Sequence, residues 1–179
     1  HVPRYHEWMQ SPALQEATAS EPLTLEQEYA MQTSWREDAD SSCGHAAKRP
    51  RSAMLKMLMR LLAMIGDVNL FINDIDDPHC AEIEIMIAEP AYRRSGAATE
   101  ALQLMMHYGY TELGLRSFVA KIGMDNAASL QLFKDKLGFV QVSVSQVFRE
   151  VTLKLSVGDA VAASLDQVWQ HVQSYAYDP

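Results

Sequence analysis

Apolar and polar residues alternate along "EIEIMIA", Glu82 to Ala88. Ile83, Ile85 and Ile87 fall on one face and Glu82, Glu84 and Met86 on the other, the period of a strand. "DVNLFIND" before it reads as a second strand, with a turn at Asp74, Asp76, Asp77 and Pro78. From Ala98 the period changes: Leu102, Met105, Met106, Gly109 and Leu113 follow helical spacing, and Gly114 marks the stop. "SFVAKIG" is a strand. Asn126 to Leu137 is a helix with Leu130, Phe133 and Leu137 inward and Gly138 at its end. "FVQVSVSQVFREVTLKL" has room for two strands or one bent strand, and from Asp159 the residues Val161, Leu165, Val168 and Val172 return to helical spacing. Nearer the start, residues 3–10 predict a short helix opened by Pro3 and anchored by Tyr5, Trp8 and Met9. Thr24 and Gln27 form a capping-box pattern for a helix on which Leu25, Tyr29 and Trp35 share a face. Ala53 to Ile65, apolar nearly all round, reads as a helix after the break at Pro50. The order from residue 66 (strand, strand, helix, strand, helix, strand) predicts a mixed α/β sandwich with helices against a sheet.

Composition narrows the function classes. The 179 residues suit one globular domain, and 48% hydrophobic with 21% charged residues argues against wholesale disorder. A net charge of −8 disfavours non-specific nucleic-acid binding. Seven acids and no Lys or Arg lie in 66–90, which fits an amine-bearing substrate or a solvated sheet edge. Five bases and no acids lie in 48–65. Cys43 and Cys80 are too few for a disulfide framework, which points to a reducing compartment, the cytoplasm, with "KRPR" at 48–51 permitting a nuclear signal. The histidines are scattered, so no metal is expected, and no apolar run reaches a membrane span.

The loop Arg93-Arg94-Ser95-Gly96-Ala97-Ala98 joins a strand to a helix. Helix-start N–H groups lack intrahelical partners and sit at the positive end of the helix dipole, so small residues there let a phosphate approach. The two arginines add directional donors. The loop is neither a Walker loop nor a dinucleotide G-x-G-x-x-G. It reads as an anion site for a phosphorylated cofactor, or as a basic turn with two solvated arginines.

Arg93-x-x-Gly96-x-Ala98 resembles the [Q/R]-x-x-G-x-[G/A] acyl-CoA loop of the GNAT superfamily of N-acetyltransferases. "NAASLQLFKDKLGF", Asn126 to Phe139, resembles the helix and strand that follow in that superfamily, in the same order. "YHEWM", "TASEPLTLEQEYAMQ", "GDVNLF", "EIEIMIAEP" and "VFREVTLKL" are similar to the branch associated with N-terminal acetylation of tubulin. The resemblance covers about residues 1–40 and 66–155. It implies a mostly antiparallel mixed sheet with helices on both faces, without a counterpart of the first family strand. It also implies an acetyl-CoA-dependent transferase that acetylates an amine, with a protein N-terminus such as that of tubulin as partner and substrate.

Residue by residue, the resemblance implies that backbone groups of Ile85, Met86 and Ile87 bind the pantetheine arm. Arg93, Arg94, Gly96, Ala97, Ala98 and Thr99 would hold the pyrophosphate. Asn126 and Ser129 would lie near the cofactor arm, although Ser129 equally suits hydrogen bonding at a helix start. The chemistry needs a neutral amine, a proton acceptor and donors for a developing oxyanion. Glu82 and Glu84 are the candidate catalytic residues; either could act as a base through water, hold a substrate ammonium, or pair with a cation. Many superfamily members carry a tyrosine acid where this chain has Phe133, which leaves a catalytically impaired binding protein on microtubules as the alternative. Residues 41–65 depart from the family pattern, so the expected division is one acetyltransferase domain over 1–155, containing that segment, and a helical tail over 156–179. The chain begins at His1 rather than Met, which reads as a fragment or processed form.

Overall fold

In β3 (Cys80–Ile87) the alternation becomes burial: Ile83 is fully enclosed, while Glu82 and Glu84 reach solvent on the opposite face. The computed structural model describes residues 2–18, 20–37, 52–53, 65–72, 74, 76–170 and 172. β3 lies inside a sheet completed by β1 (Ser52–Ala53), β2 (Gly66–Phe71), β4 (Ser117–Gly123), β5 (Val140–Ser145) and β6 (Glu150–Ser156). The spatial order is β1-β2-β3-β4-β6-β5, and only the β3–β4 pair is parallel.

Register assigns each residue to a face. Leu70 pairs with Ile83, Ala81 with Phe118, and Phe118 with Leu155, so these side chains share one side. Helix α4 (Ala97–Thr111) closes that side through Leu102, Met105 and Met106, and α6 (Asp159–Trp169) adds Leu165. Burying each such side chain contributes about 1.5–3 kcal/mol. A Cβ on Gly109 would lie 2.9 Å from Leu115, 3.1 Å from Phe118 and 3.2 Å from Leu70, so glycine sets how closely α4 seats on the sheet. Gly114, at φ +68°, turns the chain after α4, and Gly138, at φ +74°, does the same before β5.

The opposite face carries Asn69, Phe71, Glu82, Glu84, Met86 and Lys121. Helices α1 (Val2–Trp8) and α2 (Pro12–Ala17) pack there, burying Trp8 and Met9 against Met86 and Ala88. Helix α3 (Leu25–Glu37) packs on α1. Helices thus occupy both faces. The capping box forms as expected: the Thr24 N–H donates to Gln27 Oε1 at 2.8 Å, and the Gln27 N–H donates to Thr24 Oγ1 at 3.2 Å.

The face shared by Leu25 and Tyr29 is exposed, and the buried α3 side chain between them is Glu28; the side chain of Trp35 lies outside the described residues. Two expectations need correction. Ala53 does not begin a helix; it pairs with Leu70 across β1–β2, while 54–64 lie outside the described residues. The helix from Asn126 is regular only over α5 (Ala127–Gln131) and widens into a π-helical turn over Leu132–Lys136.

Candidate active site

β3 and β4 pair at only three positions, Cys80–Glu82 with Ser117–Val119. β3 continues to Ile87 and β4 to Gly123 without further pairing, so the two strands part there. On its other side β3 stays paired to β2 up to Ile87 opposite Gly66. The parted stretch offers main-chain polar groups to an extended ligand, much as a sheet edge takes an added strand. Ile85 turns its main chain into that stretch, whereas the Met86 carbonyl faces β2, against Gly66. The Ile87 carbonyl is already engaged: it accepts from Arg93 Nε at 2.9 Å.

Beyond β3 the chain makes a 3₁₀ turn, Pro90–Tyr92, then the arginine-glycine loop and α4. Arg93 also donates from Nη2 to the Ala88 carbonyl at 3.1 Å, so its guanidinium ties the loop to β3 rather than pointing wholly at a ligand. Arg94 takes φ +61° and Gly96 φ +96°, which turns the backbone sharply into the helix. Ser95 Oγ donates to the Tyr92 carbonyl at 2.6 Å and accepts from the Ala97 N–H at 3.4 Å. Gly96 caps α4 without a side chain, and a Cβ there would meet nothing within 4 Å. The first-turn N–H groups of Ala98 and Thr99 therefore lie at an open, positive helix end, which suits a pyrophosphate, while that of Ala97 is turned to Ser95 Oγ.

Glu89 couples this loop to the N-terminal helices. Its Oε1 accepts from Arg4 Nη2 at 2.6 Å and from Trp8 Nε1 at 2.9 Å. The Trp8 N–H, with the Arg4 guanidinium, holds its carboxyl below the ordinary glutamate range.

On the sheet face away from α4, a cavity of about 310 Å³ opens between α1, the 20–23 loop, α3, β2 and β3. Its apolar walls include Met9, Leu23, Met31 and Phe71; its polar groups are Tyr5, Ser20, Glu21, Glu28, Asn69 and Glu84. The two carboxylates expected from the sequence part ways here. Glu82 is paired with Lys121 Nζ at 2.7 Å. Glu84 lines the mouth of the cavity and is exposed to solvent there, with protein on part of its surface. Burial first, then the charges of Glu82 and Asp67, push its carboxyl above the ordinary range. Burial and the surrounding Asp67, Glu28 and Glu84 push the Tyr5 phenol up to about 12. Sequence reading missed Tyr5, Glu28 and Asn69 as cavity residues. A two-residue period over β2 would put Asn69 and Phe71 on one face, but nothing local marks Glu28.

Asn126 caps α5, its Oδ1 accepting from the Ser129 N–H at 3.1 Å, so both residues serve the helix start in this geometry. Phe133 is buried edge-on against Phe139, with ring centroids 5.0 Å apart. Among the described residues no group of three or more His, Cys, Asp or Glu is placed to hold a metal ion, and no helix is long and apolar enough to cross a membrane.

Comparison with known proteins adds three findings. Residues 1–140 match the acetyltransferase (GNAT) domain family. The chain is 48% identical over 177 residues to alpha/beta-tubulin-N-acetyltransferase 9 of Mus musculus, covering 99% of this chain and 73% of that protein. It is 51% identical over 171 residues to an N-acetyltransferase 9-like protein of Nematostella vectensis, covering 96% and 85%. In fold it is similar to spermidine N-acetyltransferase from Vibrio cholerae, solved in complex with CoA and spermine. That similarity has a TM-score of 0.68 at 15% identity and covers 90% of this chain and 92% of that one.

Proposed function

The chain belongs to the GNAT acetyltransferase family and is an N-acetyltransferase; from that premise we propose that it moves acetyl from acetyl-CoA to the α-amino group at a protein N-terminus, that of tubulin first. The observation that carries this reading is Glu84. It is a carboxylate with a raised pKa at an acidic cavity, on the same strand that parts from β4. The names of the tubulin-acetylating relatives supply the candidate substrate.

Acetyl-CoA supplies the acetyl group as an activated thioester. In this reading the N–H groups at Gly96, Ala98 and Thr99 hold its pyrophosphate, the small Ala97 lets it come close, Arg94 adds a cation, and Arg93 keeps the loop in place. Main-chain groups of Ile85 hold the pantetheine arm between β3 and β4, while Met86 stays paired to β2. A protein α-amino group titrates near ~7.7–8.0, so only part of it is neutral and nucleophilic at pH 7. As the amine nitrogen bonds to the thioester carbon and the C–S bond breaks, Glu84 receives the proton that the amine loses, directly or through water, and CoA leaves as a thiolate that takes its proton from water. A raised pKa brings a carboxylate closer to the proton it must accept. Glu82, held by Lys121, helps keep that pKa raised by like-charge repulsion.

The test is transfer of isotope-labelled acetyl from acetyl-CoA to synthetic tubulin N-terminal peptides, followed by mass spectrometry. Glu84→Gln should lower kcat about 10²–10⁴-fold while acetyl-CoA still binds. Binding of acetyl-CoA without transfer to any N-terminal peptide would refute the reading.

A further inference from the structure

Glu28 is the least expected residue of the cavity. Its side chain is only 3% exposed. One oxygen, Oε1, lies 3.1 Å from His6 Nδ1, while the other, Oε2, is buried and accepts no hydrogen bond. Asn69 lines the same cavity from β2. Its amide N–H donates to Asp67 Oδ2 at 2.8 Å, yet its Oδ1 is buried and accepts nothing. Both bare atoms are acceptors. Buried acceptors are nearly always matched with donors in native proteins, and leaving one unmatched is costly.

The charges around Glu28 point the same way. His6 faces it from α1, Glu21 comes from the loop before α3, Glu84 from β3, and the Tyr5 phenol stands among them. Among the described residues no Lys or Arg lines the cavity, and Lys121 on β4 is held by Glu82. Three carboxylates therefore serve a reaction that brings one amine. The walls of Met9, Leu23, Met31 and Phe71 suit an aliphatic stem between two polar ends.

We infer that Glu28 determines specificity for substrates with a second positive charge close to the reacting amine: a Lys or Arg side chain directly after the N-terminal residue. The inference rests on the acetyl-transfer reading of this cavity. Glu84 meets the reacting amine. Glu28 Oε2 and Asn69 Oδ1 receive N–H donors of the second cationic group, and the apolar walls enclose its stem. A desolvated carboxylate gives such a donor far more discrimination than a rim charge does.

Two hexapeptides that differ only at their second residue, Lys or Gln, test this, with spermidine as a third ligand. Each is measured by calorimetry and by acetyl transfer, on the wild-type chain and on Glu28→Gln. The Lys peptide should bind the wild type at least about tenfold more tightly than the Gln peptide, and Glu28→Gln should bring the two within about twofold. A role for Glu28 in folding alone moves melting and leaves that ratio unchanged. Equal affinities in the wild type would overturn the inference, as would an undiminished ratio in a folded Glu28→Gln. Should the variant fail to fold, the wild-type ratio decides. Tighter binding of spermidine than of either peptide would support the second-cation site and move its source from peptide to free polyamine. Discrimination in binding with no transfer to either peptide would sink the transfer reading and leave only Glu28 as the reader of a second charge in a binding site. Equal transfer and equal binding would do the reverse.

Discussion

Gly96→Glu separates the stability of the arginine-glycine loop from its capacity to bind an anion. Gly96 sits at φ +96°, where a residue with a Cβ is strained, and a Cβ there would have no neighbour within 4 Å. The penalty is therefore one of backbone strain alone, about 1–2 kcal/mol. In a chain of this size each kcal/mol lowers Tm by roughly 2–4 °C, so Gly96→Ala should melt about 2–8 °C below wild type. Acetyl-CoA at ~100 times its Kd stabilises the folded state by roughly 2.7 kcal/mol, a rise of about 5–11 °C. Gly96→Ala should keep most of that rise, because its methyl group carries no charge. Gly96→Glu should melt close to Gly96→Ala without ligand, yet lose the rise, because its carboxylate lies where the pyrophosphate belongs. Thermal melts of the three proteins, with and without acetyl-CoA, make the comparison. A full ligand-induced rise in Gly96→Glu would refute the placement of the pyrophosphate at the start of α4.

Phe133→Ala removes a buried ring that packs edge-on against Phe139, and should cost about 3–5 kcal/mol in urea melts; a loss below about 1 kcal/mol would show that the neighbourhood collapses into the space. Thr24→Ala removes one half of the capping box and should cost about 0.5–2 kcal/mol, with faster amide exchange in the first turn of α3 as the direct readout. The raised pKa of Glu84 means that the folded chain binds its proton more tightly than the unfolded chain does. Wild-type stability therefore falls as pH climbs from the ordinary value of 4.5 through the higher folded value. Glu84→Gln should lack that decline and melt above wild type at neutral pH while transferring acetyl slowly; parallel pH–stability curves would contradict the shift. Glu89 runs the other way, since its lowered pKa contributes stability that is lost as pH falls through the folded value, and Glu89→Gln should flatten the acid side of the melting profile.

Local signals in the sequence translated well into local structure. The two-residue period of β3, the reciprocal Thr24–Gln27 bonds and the left-handed glycines at 114 and 138 depend on neighbours within a few positions, and each appears where its pattern puts it. The arginine-glycine loop was legible in outline, since Gly96 does cap α4, but not in the tie of Arg93 to the carbonyls of β3. Glu28 was invisible because its burial depends on His6, twenty-two positions away, and on a cavity wall drawn from four other elements. The exposure of Leu25 and Tyr29 was hidden for the same reason: a helical period says which residues share a face, not which face the rest of the chain covers. The parting of β3 from β4 is a matter of where pairing stops, and two strands that read identically along their length carry no mark of it.

The bonds from Arg4 and Trp8 to Glu89 have a consequence for the order of events during synthesis. Seven residues are too few for α1 to persist as an isolated helix, and its polar anchor lies 85 positions further along the chain for Arg4 and 81 for Trp8. Elongating at ~5–20 residues per second, a ribosome needs roughly 4–17 s to deliver Glu89 after Arg4. Through that interval Trp8 and Met9 have neither their acceptor nor the β3 surface that covers them. The α1 segment thus settles only after β3 has been made, and a nascent chain stalled before residue 89 should expose it to chaperones and proteases, whereas one stalled after β3 is complete and clear of the tunnel should not.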